Sequence, residues 1–118
     1  MQESYRDILK LLLPTIIIEN FELTSWKTTA EVMHLYLQEI NKIPKEFEGQ
    51  KLESKGFFDE ITVQDFPIRG HKVFLHIKRR RWYNYTLEKV VYRNWDLVAD
   101  GTRMTKEFSI FLKTLNRF

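Results

Sequence analysis

The stretch HKVFLHIKRRRW, residues 71–82, alternates apolar and polar side chains and then ends in a run of cations. The alternation predicts the longest β-strand of the chain, because successive side chains of a strand point to opposite sides. The apolar side of this strand consists of Val73, Leu75 and Ile77. The same two-residue period places Arg79 and Arg81 on the continuation of that side and Arg80 on the opposite one.

The segments on either side of this strand also have the composition of strands. EITVQDF, residues 60–66, predicts a short strand that ends at Pro67. KVVYRNWDLVA predicts a strand that returns antiparallel to the long one. Together they predict a basic hairpin of about 72–82 and 89–98, with YNYTLE, residues 83–88, as its loop.

The first half of the chain predicts a helix followed by a second pair of strands. A helix over Tyr5–Leu13 is indicated by its apolar stripe, and Pro14 kinks or ends it. FELTSWK at 21–27 and AEVMHLYLQEI at 30–40 flank a small polar turn. The second of these segments favours a strand, although a helix stays open. The polar run 41–58, with one proline and two glycines, indicates a connecting loop.

The chain is predicted to end in an amphipathic helix. Gly101 interrupts the strand pattern, and Thr102 or Thr105 can cap the helix that follows. Its apolar stripe consists of Phe108, Phe111, Leu112 and Leu115. The fold class is therefore predicted as α+β: one domain over 1–118, with a small antiparallel β-sheet, a long basic hairpin, and helices at both termini.

Charge is divided unevenly along the sequence. Residues 1–60 hold 7 Lys and Arg against 11 Asp and Glu, whereas residues 61–118 hold 12 against 5. Between Arg69 and Arg93 there are 8 cations and a single acid, Glu88. Such a basic block is what phosphate binding requires, because each paired cation releases a condensed counterion. Charge alone does not distinguish this role from that of a solvated strand.

Several kinds of chemistry are poorly supported. The sequence has no cysteine, and its three histidines have no i, i+4 relation, so neither a metal nor another cofactor is expected. The four glycines are too far apart for a phosphate-binding loop, and no serine lies in a nucleophile context. The chain is therefore expected not to be an enzyme.

The apolar run ILKLLLPTIII, residues 8–18, does not predict a membrane segment. Its apolar length is about half of the roughly 20 residues that a transmembrane helix needs. The acidic residues Glu3 and Asp7 are also unlike the positive region of a signal peptide. The protein is expected to be cytoplasmic, with no membrane partner.

The basic strand end allows two roles for its arginines. The four cations Lys78 to Arg81 cannot form one flat row, so they wrap the end of the hairpin. An arginine there can pair with a phosphate or with the guanine edge in a major groove. Trp82, Tyr83 and Tyr85 could stack on bases or pack beside sugars, and stacking in a duplex needs an unpaired base. For Trp82, a ring that covers the edge of the sheet is the more common use.

Two longer motifs carry a resemblance to a known family. They are ITVQDFPIRGHKVFLHIKRRRW and YRNWDLVADGTRMTKEFSIFL, which cover residues 61 to about 112. They resemble the N-terminal region of a group of bacterial insertion-sequence transposases, in which this region can be encoded as a separate protein. The resemblance implies a DNA-binding part of a mobile element that acts in DNA transposition and recombination, in a nucleoid-associated location.

The chain departs from the wider group in two respects. Related regions carry cysteine pairs that hold zinc, and this sequence has none. It also stops at Phe118, before the helix-turn-helix and the acidic-triad nuclease domain of the group. The resemblance therefore implies an accessory part without its own catalytic residues or metal ligands.

The resemblance implies a DNA-binding role for eleven residues: Arg69, His71, Lys72, Lys78, Arg79, Arg80, Arg81, Trp82, Arg93, Arg103 and Lys106. Its implied partners are double-stranded DNA at the element ends and a separately encoded catalytic transposase, with a homodimer as a further assembly. An alternative is a protein-binding module that docks on the catalytic transposase without touching DNA. It would use the acidic half or the apolar face of the last helix.

Overall fold

The computed structural model describes residues 2–93, 95 and 103–115, which form three helices and seven strands in two sheets. The α+β class is therefore confirmed, with helices near both termini and mostly antiparallel strands between them. In chain order the elements are α1 (Gln2–Leu12), α2 (Thr15–Asn20), β1 (Phe21–Thr28), β2 (Val32–Glu39), β3 (Leu52–Phe57), β4 (Ile61–Ile68), β5 (His71–Lys78), β6 (Arg80–Asn84), β7 (Lys89–Tyr92) and α3 (Lys106–Leu115).

The larger sheet has the strand order β1-β2-β5-β4. Its outer pairs are antiparallel hairpins, and its central pair, β2 and β5, is parallel. The predicted apolar side of β5 is confirmed, because Val73, Leu75 and Ile77 are all buried against α1 and α2. Burial of this one side fixes the register, since a slip by one residue would expose all three side chains.

The smaller sheet has the strand order β3-β6-β7, with both pairs antiparallel. One of its sides is buried and carries Trp82, Asn84 and Val91. The Asn84 side chain accepts hydrogen bonds from the backbone N–H groups of Thr86 and Leu87, at 2.9 and 3.0 Å. These bonds shape the turn that joins β6 to β7 and satisfy a side chain that is fully buried.

The predicted hairpin of 72–82 with 89–98 is corrected, because the long strand is interrupted at Arg79. The first part, β5, belongs to the larger sheet, and the second part, β6, belongs to the smaller one. Pairing with β7 covers only Arg81 to Asn84. The interruption arises because the backbone N–H of Arg80 donates to the carboxylate of Glu39, at the end of β2, instead of to a neighbouring strand. Residues 94 and 96–98 of the prediction lie outside the described part of the chain.

Three local expectations are also corrected. The run 41–58 is not all loop, because β3 lies within it; its polar residues suit a strand with an exposed side. Pro67 lies inside β4 rather than after it, which an edge strand tolerates because no neighbour requires its missing N–H. Tyr83 and Asn84 belong to β6 and not to the loop.

The carboxylate of Glu39, at the end of β2, joins the two sheets. Its side chain is only 2% exposed. One oxygen accepts hydrogen bonds from the Arg80 backbone N–H at 3.0 Å and from the Trp95 ring N–H at 2.9 Å. The other oxygen lies 3.9 Å from Arg93 Nε. Burial raises the pKa of the Glu39 carboxyl, and the bonds from Trp95 and Arg80 and the charge of Arg93 only partly offset this.

Helix α3 is tied to β4 through Thr105, the residue before its first turn. The Thr105 hydroxyl donates to the buried carboxylate of Asp65 at 2.8 Å and accepts from the Phe108 N–H at 3.4 Å. Thr105 thus caps the helix, which was one of the two predicted choices. Thr102 lies outside the described residues.

The apolar stripes of the terminal helices are only partly covered. Phe108 in α3 and Leu13 beside α1 are buried. Other apolar residues of the two helices are exposed, namely Ile8, Leu11, Leu12, Ile110, Phe111 and Leu115. No helix in the described ranges has both the length and the apolarity needed to cross a membrane.

Replacement of Thr105 by Ala should destabilise the fold. It removes the helix cap and leaves the buried Asp65 carboxylate without the Thr105 hydroxyl, so the free energy of unfolding should fall by about 2 kcal/mol. Urea denaturation measures this change. Thr114→Ala is the matched control, because it removes an exposed hydroxyl bonded to the Ile110 carbonyl and should change stability by less than about 0.5 kcal/mol. Equal effects of the two substitutions would contradict the assignment.

The pH dependence of stability should reveal Glu39. A carboxyl with a raised pKa in the folded state adds stability at low pH and loses this contribution as the pH rises through the folded pKa. Glu39→Gln keeps one acceptor oxygen but does not titrate. Wild-type protein should therefore lose stability relative to Glu39→Gln as the pH rises above about 4, the usual pKa of a Glu side chain in the unfolded chain. Urea denaturation at several pH values tests this, and a gap that stays constant or moves the other way would show that the assignment is wrong.

Candidate nucleic-acid interface

The eleven predicted DNA-binding residues do not form one surface. Arg69, His71 and Lys72 lie at the turn that begins β5, and Lys78 lies at its other end. Seven residue steps of about 3.3 Å separate His71 from Lys78, which is roughly 23 Å along the strand. The His71 ring contacts the carbonyl of Arg69, and Lys72 is exposed. The structure therefore separates this turn from the arginine run.

Arg80 and the residue that follows the basic run, Trp82, are engaged within the protein. Trp82 is 1% exposed, and its ring N–H donates to Asn41 Oδ1 at 2.9 Å, so its ring cannot reach a base. The Arg80 guanidinium donates to the Glu39 carbonyl at 3.1 Å and to Ser54 Oγ at 2.5 Å. It also lies over the Phe57 ring, 4.6 Å from the centroid. Arg80 therefore serves the junction between the sheets.

The remaining predicted residues lie apart from one another. Arg93 donates to the Lys42 carbonyl at 2.9 Å and to Asn20 Oδ1 at 3.3 Å, so it also belongs to the junction. Arg103 is exposed, and its backbone carbonyl accepts the Gln64 N–H. Lys106 begins α3 and is half-buried. Lys78 lies on the side of the larger sheet that faces away from the buried Val73, Leu75 and Ile77, which we call the open side.

The exposed side of the smaller sheet collects aromatic and cationic side chains. We call it the outer face, and define it as Phe58, Arg79, Arg81, Tyr83, Tyr85 and Tyr92. Paired residues of antiparallel strands share a side, so the pairings of Arg81 with Tyr92 and of Tyr83 with Val90 place both strands' side chains together. This surface is the candidate interface.

Phe58 is the centre of the outer face. The guanidinium carbons of Arg79 and Arg81 lie 5.3 and 5.9 Å from its ring centroid, which is within the range of cation–π contacts. Tyr92 meets the same ring edge-on at 5.2 Å. The Arg81 Nε also donates to the Lys55 carbonyl at 2.9 Å. The parity predicted for the basic run is confirmed here, since Arg79 and Arg81 share one side and Arg80 points away.

The other end of the outer face is formed by two tyrosines. The rings of Tyr83 and Tyr85 meet edge-on at 4.9 Å, and Lys51 lies 5.3 Å from the Tyr85 centroid. The Tyr85 hydroxyl donates to the carboxylate of Glu53, which also pairs with Lys55 at 3.4 Å. These bonds, first that of Tyr85, lower the pKa of Glu53, so it is ionised at neutral pH.

Positive charge dominates the outer face and its margin. The described residues there supply four cations, Lys51, Lys55, Arg79 and Arg81. Glu53 lies among them and is bonded to Tyr85 and Lys55, and the same segments carry two further exposed acids, Asp59 and Glu88. The net excess attracts an anion, and the fixed position of the arginines beside Phe58 reduces the entropy lost on binding one.

The histidines on the open side of the larger sheet bond to one another. His34 Nδ1 lies 2.8 Å from His76 Nε2, and the second nitrogen of His76 lies 3.1 Å from the Thr62 hydroxyl. Desolvation lowers the pKa of His76 and outweighs the attraction of Glu60. Within the described ranges, no three His, Cys, Asp or Glu side chains are grouped so as to hold a metal ion.

Sequence reasoning missed two residues of the outer face. Phe58 was assigned to a loop, and its role depends on β3 and on the interruption at Arg79, neither of which has a local signal. Tyr92 could have been found, because it alternates with the buried Val91 in the predicted returning strand. Tyr83 and Tyr85 are not among the eleven predicted residues, although the sequence suggests base stacking for both.

Comparison with known proteins gives no match: no family model, no curated protein and no solved structure is significantly similar to the chain. The resemblance to insertion-sequence transposases therefore rests on the two quoted motifs.

Proposed function

We propose that the protein is the DNA-binding N-terminal region of an insertion-sequence transposase, and that it contacts DNA at the element ends through the outer face. The observation that carries the proposal is the pair Arg79 and Arg81, whose guanidinium groups both lie beside the Phe58 ring. Arg81 is exposed, and Arg79 is half-buried with its Nε covered. The guanidinium group binds phosphate oxygens through two parallel hydrogen bonds. Two such groups in fixed positions suit a repeating phosphate backbone.

The charge of the surface supports this proposal. Lys51 and Lys55 extend the cationic area beyond the arginine pair. Phosphate contacts supply most of the affinity in non-specific DNA binding and position the protein for base contacts. The turn with Arg69 and Lys72 is too distant to belong to the same contact, so it forms at most a separate one.

The resemblance supplies the biological setting of the proposal. A separately encoded catalytic transposase would cut and join DNA, and this chain would act as its accessory in DNA transposition, in the cytoplasm and close to the nucleoid. The protein would need neither a metal nor a cofactor for this role. Its residues would bind and orient the DNA ends.

The Arg79→Ala/Arg81→Ala variant should show a weaker dependence of DNA affinity on salt. Each phosphate contact contributes about 0.9 to the slope of log K against log salt, so the slope should flatten by about 2 units. Fluorescence anisotropy with duplex DNA from the element ends, at several salt concentrations, measures this slope. Arg80 is left unchanged because its substitution would disturb the junction with Glu39 and Ser54.

The control for the salt titration is Lys27→Ala/Lys113→Ala. It removes the same charge from two exposed lysines on β1 and α3, away from the outer face. This variant should keep the slope of the wild type within about half a unit. The proposal would be overturned if the two double variants lost slope equally, or if the wild-type protein bound no DNA at low salt.

A second candidate function is docking on the catalytic transposase, and it is favoured by the exposed apolar residues of α1 and α3. Leu11 is 86% exposed, and Phe111 is about half exposed. A cleft of about 330 Å³ lies between the end of α1, the end of β4 and Glu107 at the start of α3. Exposed apolar residues grouped around a cleft are typical of protein interaction sites. This surface is distinct from the outer face, so both functions can coexist.

The Leu11→Glu/Phe111→Glu variant tests docking directly. Leu11 is exposed, whereas Phe111 is about half exposed and its ring lies 5.4 Å from that of Phe66, so circular dichroism checks the fold of the variant. The folded variant should no longer co-purify with a co-expressed catalytic transposase. Its DNA salt slope should be unchanged. Trp26→Glu is the control, since Trp26 is an exposed apolar residue on β1, outside this cleft. Undiminished co-purification of the double variant would exclude this surface. Light scattering on the same samples reports whether a homodimer uses it.

A further inference from the structure

We infer that the outer face binds unpaired bases, so that its preferred ligand is single-stranded DNA rather than an intact duplex. This inference rests on the proposed function and adds the structural class of the DNA. Three observations carry it: the width of the sheet, the exposed tyrosines, and the position of the cations around them.

The smaller sheet is too wide to enter a duplex groove with its flat side. Neighbouring strands lie about 4.8 Å apart, so the backbones of β3 and β7 are roughly 10 Å apart before side chains are added. The major groove is about 12 Å wide and admits one helix or a two-stranded ribbon. A three-stranded face therefore stays outside the groove, where it meets phosphates and no base edges.

The aromatic residues of the outer face suit bases that are not stacked in a duplex. Tyr92 is 50% exposed and Tyr85 is 43% exposed. Each aromatic ring has an apolar area that gains from stacking on a base, and such stacking needs an unpaired base. Phosphate binding alone gives no reason for tyrosines at these positions.

The tyrosines form two separate platforms with cations beside each. Tyr92 lies next to Phe58 and the arginine pair, and Tyr85 lies next to Tyr83 and Lys51. A single strand laid across the sheet can stack a base at each platform while its phosphates meet the neighbouring cations. This alternation of rings and charges is the arrangement by which sheet surfaces bind single strands without reading their sequence.

The open side of the larger sheet is less suited to this ligand. Its rings already stack on one another, with Tyr36 over His76 at 4.5 Å and His34 near Phe74 at 5.9 Å. The His34–His76 bond and the contact of His76 with Thr62 hold them in place. These rings are therefore engaged within the protein.

The test compares DNA forms and aromatic variants in one anisotropy assay. The labelled probes are a single strand of about 12 nucleotides, the duplex of the same sequence, and the corresponding RNA strand. Wild-type protein should bind the DNA strand more tightly than either of the others. Tyr92→Leu should weaken single-strand binding by about 5-fold or more, because loss of one stacked base is a change of about 1–3 kcal/mol.

Matched variants separate stacking from general damage. Tyr92→Phe keeps the ring and should bind as the wild type does, whereas Tyr92→Leu keeps apolar bulk without the ring. Trp26→Leu removes an aromatic residue that is 69% exposed on β1, and it should leave single-strand affinity within about 2-fold. Tyr85→Leu is a second variant for the other platform, and circular dichroism checks the fold of each.

The outcomes distinguish the inference from the function on which it rests. Tighter binding of the duplex, with the arginine pair required and both tyrosine variants unaffected, overturns the inference and leaves DNA binding intact. Tighter binding of the RNA strand also overturns it. An absence of binding to every probe at low salt overturns the inference and the proposed function together.

Discussion

The buried carboxylate of Glu39 is the interaction on which the arrangement of the two sheets depends. It accepts hydrogen bonds from Arg80 and from Trp95, so it fixes the end of β2 to the start of β6 and to the segment after β7. A carboxylate without water is unfavourable unless hydrogen bonds and opposite charges compensate for it. The hydrogen bonds from Trp95 and Arg80 and the charge of Arg93 offset part of that cost, and the pKa of the Glu39 carboxyl stays raised. Two of the basic residues are thereby part of the interior, and they do not contribute to the surface available for an anion.

The same contact determines which way the other arginines point. With the Arg80 side chain held inward by Glu39 and Ser54, the two-residue period of an extended chain directs Arg79 and Arg81 outward. Trp82 then follows on the inward side and fills the space behind the smaller sheet. The bonds from the Arg80 guanidinium to the Glu39 backbone carbonyl and to Ser54 therefore divide the basic run into a half-buried structural residue and a pair on the outer face. The proposed DNA contact uses that pair because, among the arginines of the run, only its guanidinium groups lie on the outer face.

The parts of the fold that could be predicted are those in which local pattern and burial agree. In β5 one side is buried and the other is not, so its alternation identified both the strand and its core side. The interruption at Arg79 could not be predicted, because it depends on Glu39, which is 41 positions from Arg80 in the sequence. Strand β3 was missed for a related reason, since a polar strand with one exposed side has the composition of a loop. The position of Phe58 beside Arg79 and Arg81 could not be predicted either, because it depends on contacts between these distant segments.

The division of charge along the sequence is not a division in space. Strands β2 and β5 come from the acidic and basic halves and pair in parallel, with Gln38 opposite Lys78. This register brings Glu39, the next residue of β2, level with the place where β5 ends and Arg80 follows. A slip of one residue would expose the apolar side of β5 and also carry Glu39 away from Arg80. The packing of the core therefore also sets the position of the acid. Glu39 is thereby buried at the junction and away from the outer face, where Glu53 pairs with Lys55 and leaves Lys51, Arg79 and Arg81 without an acid bonded to their side chains among the described contacts.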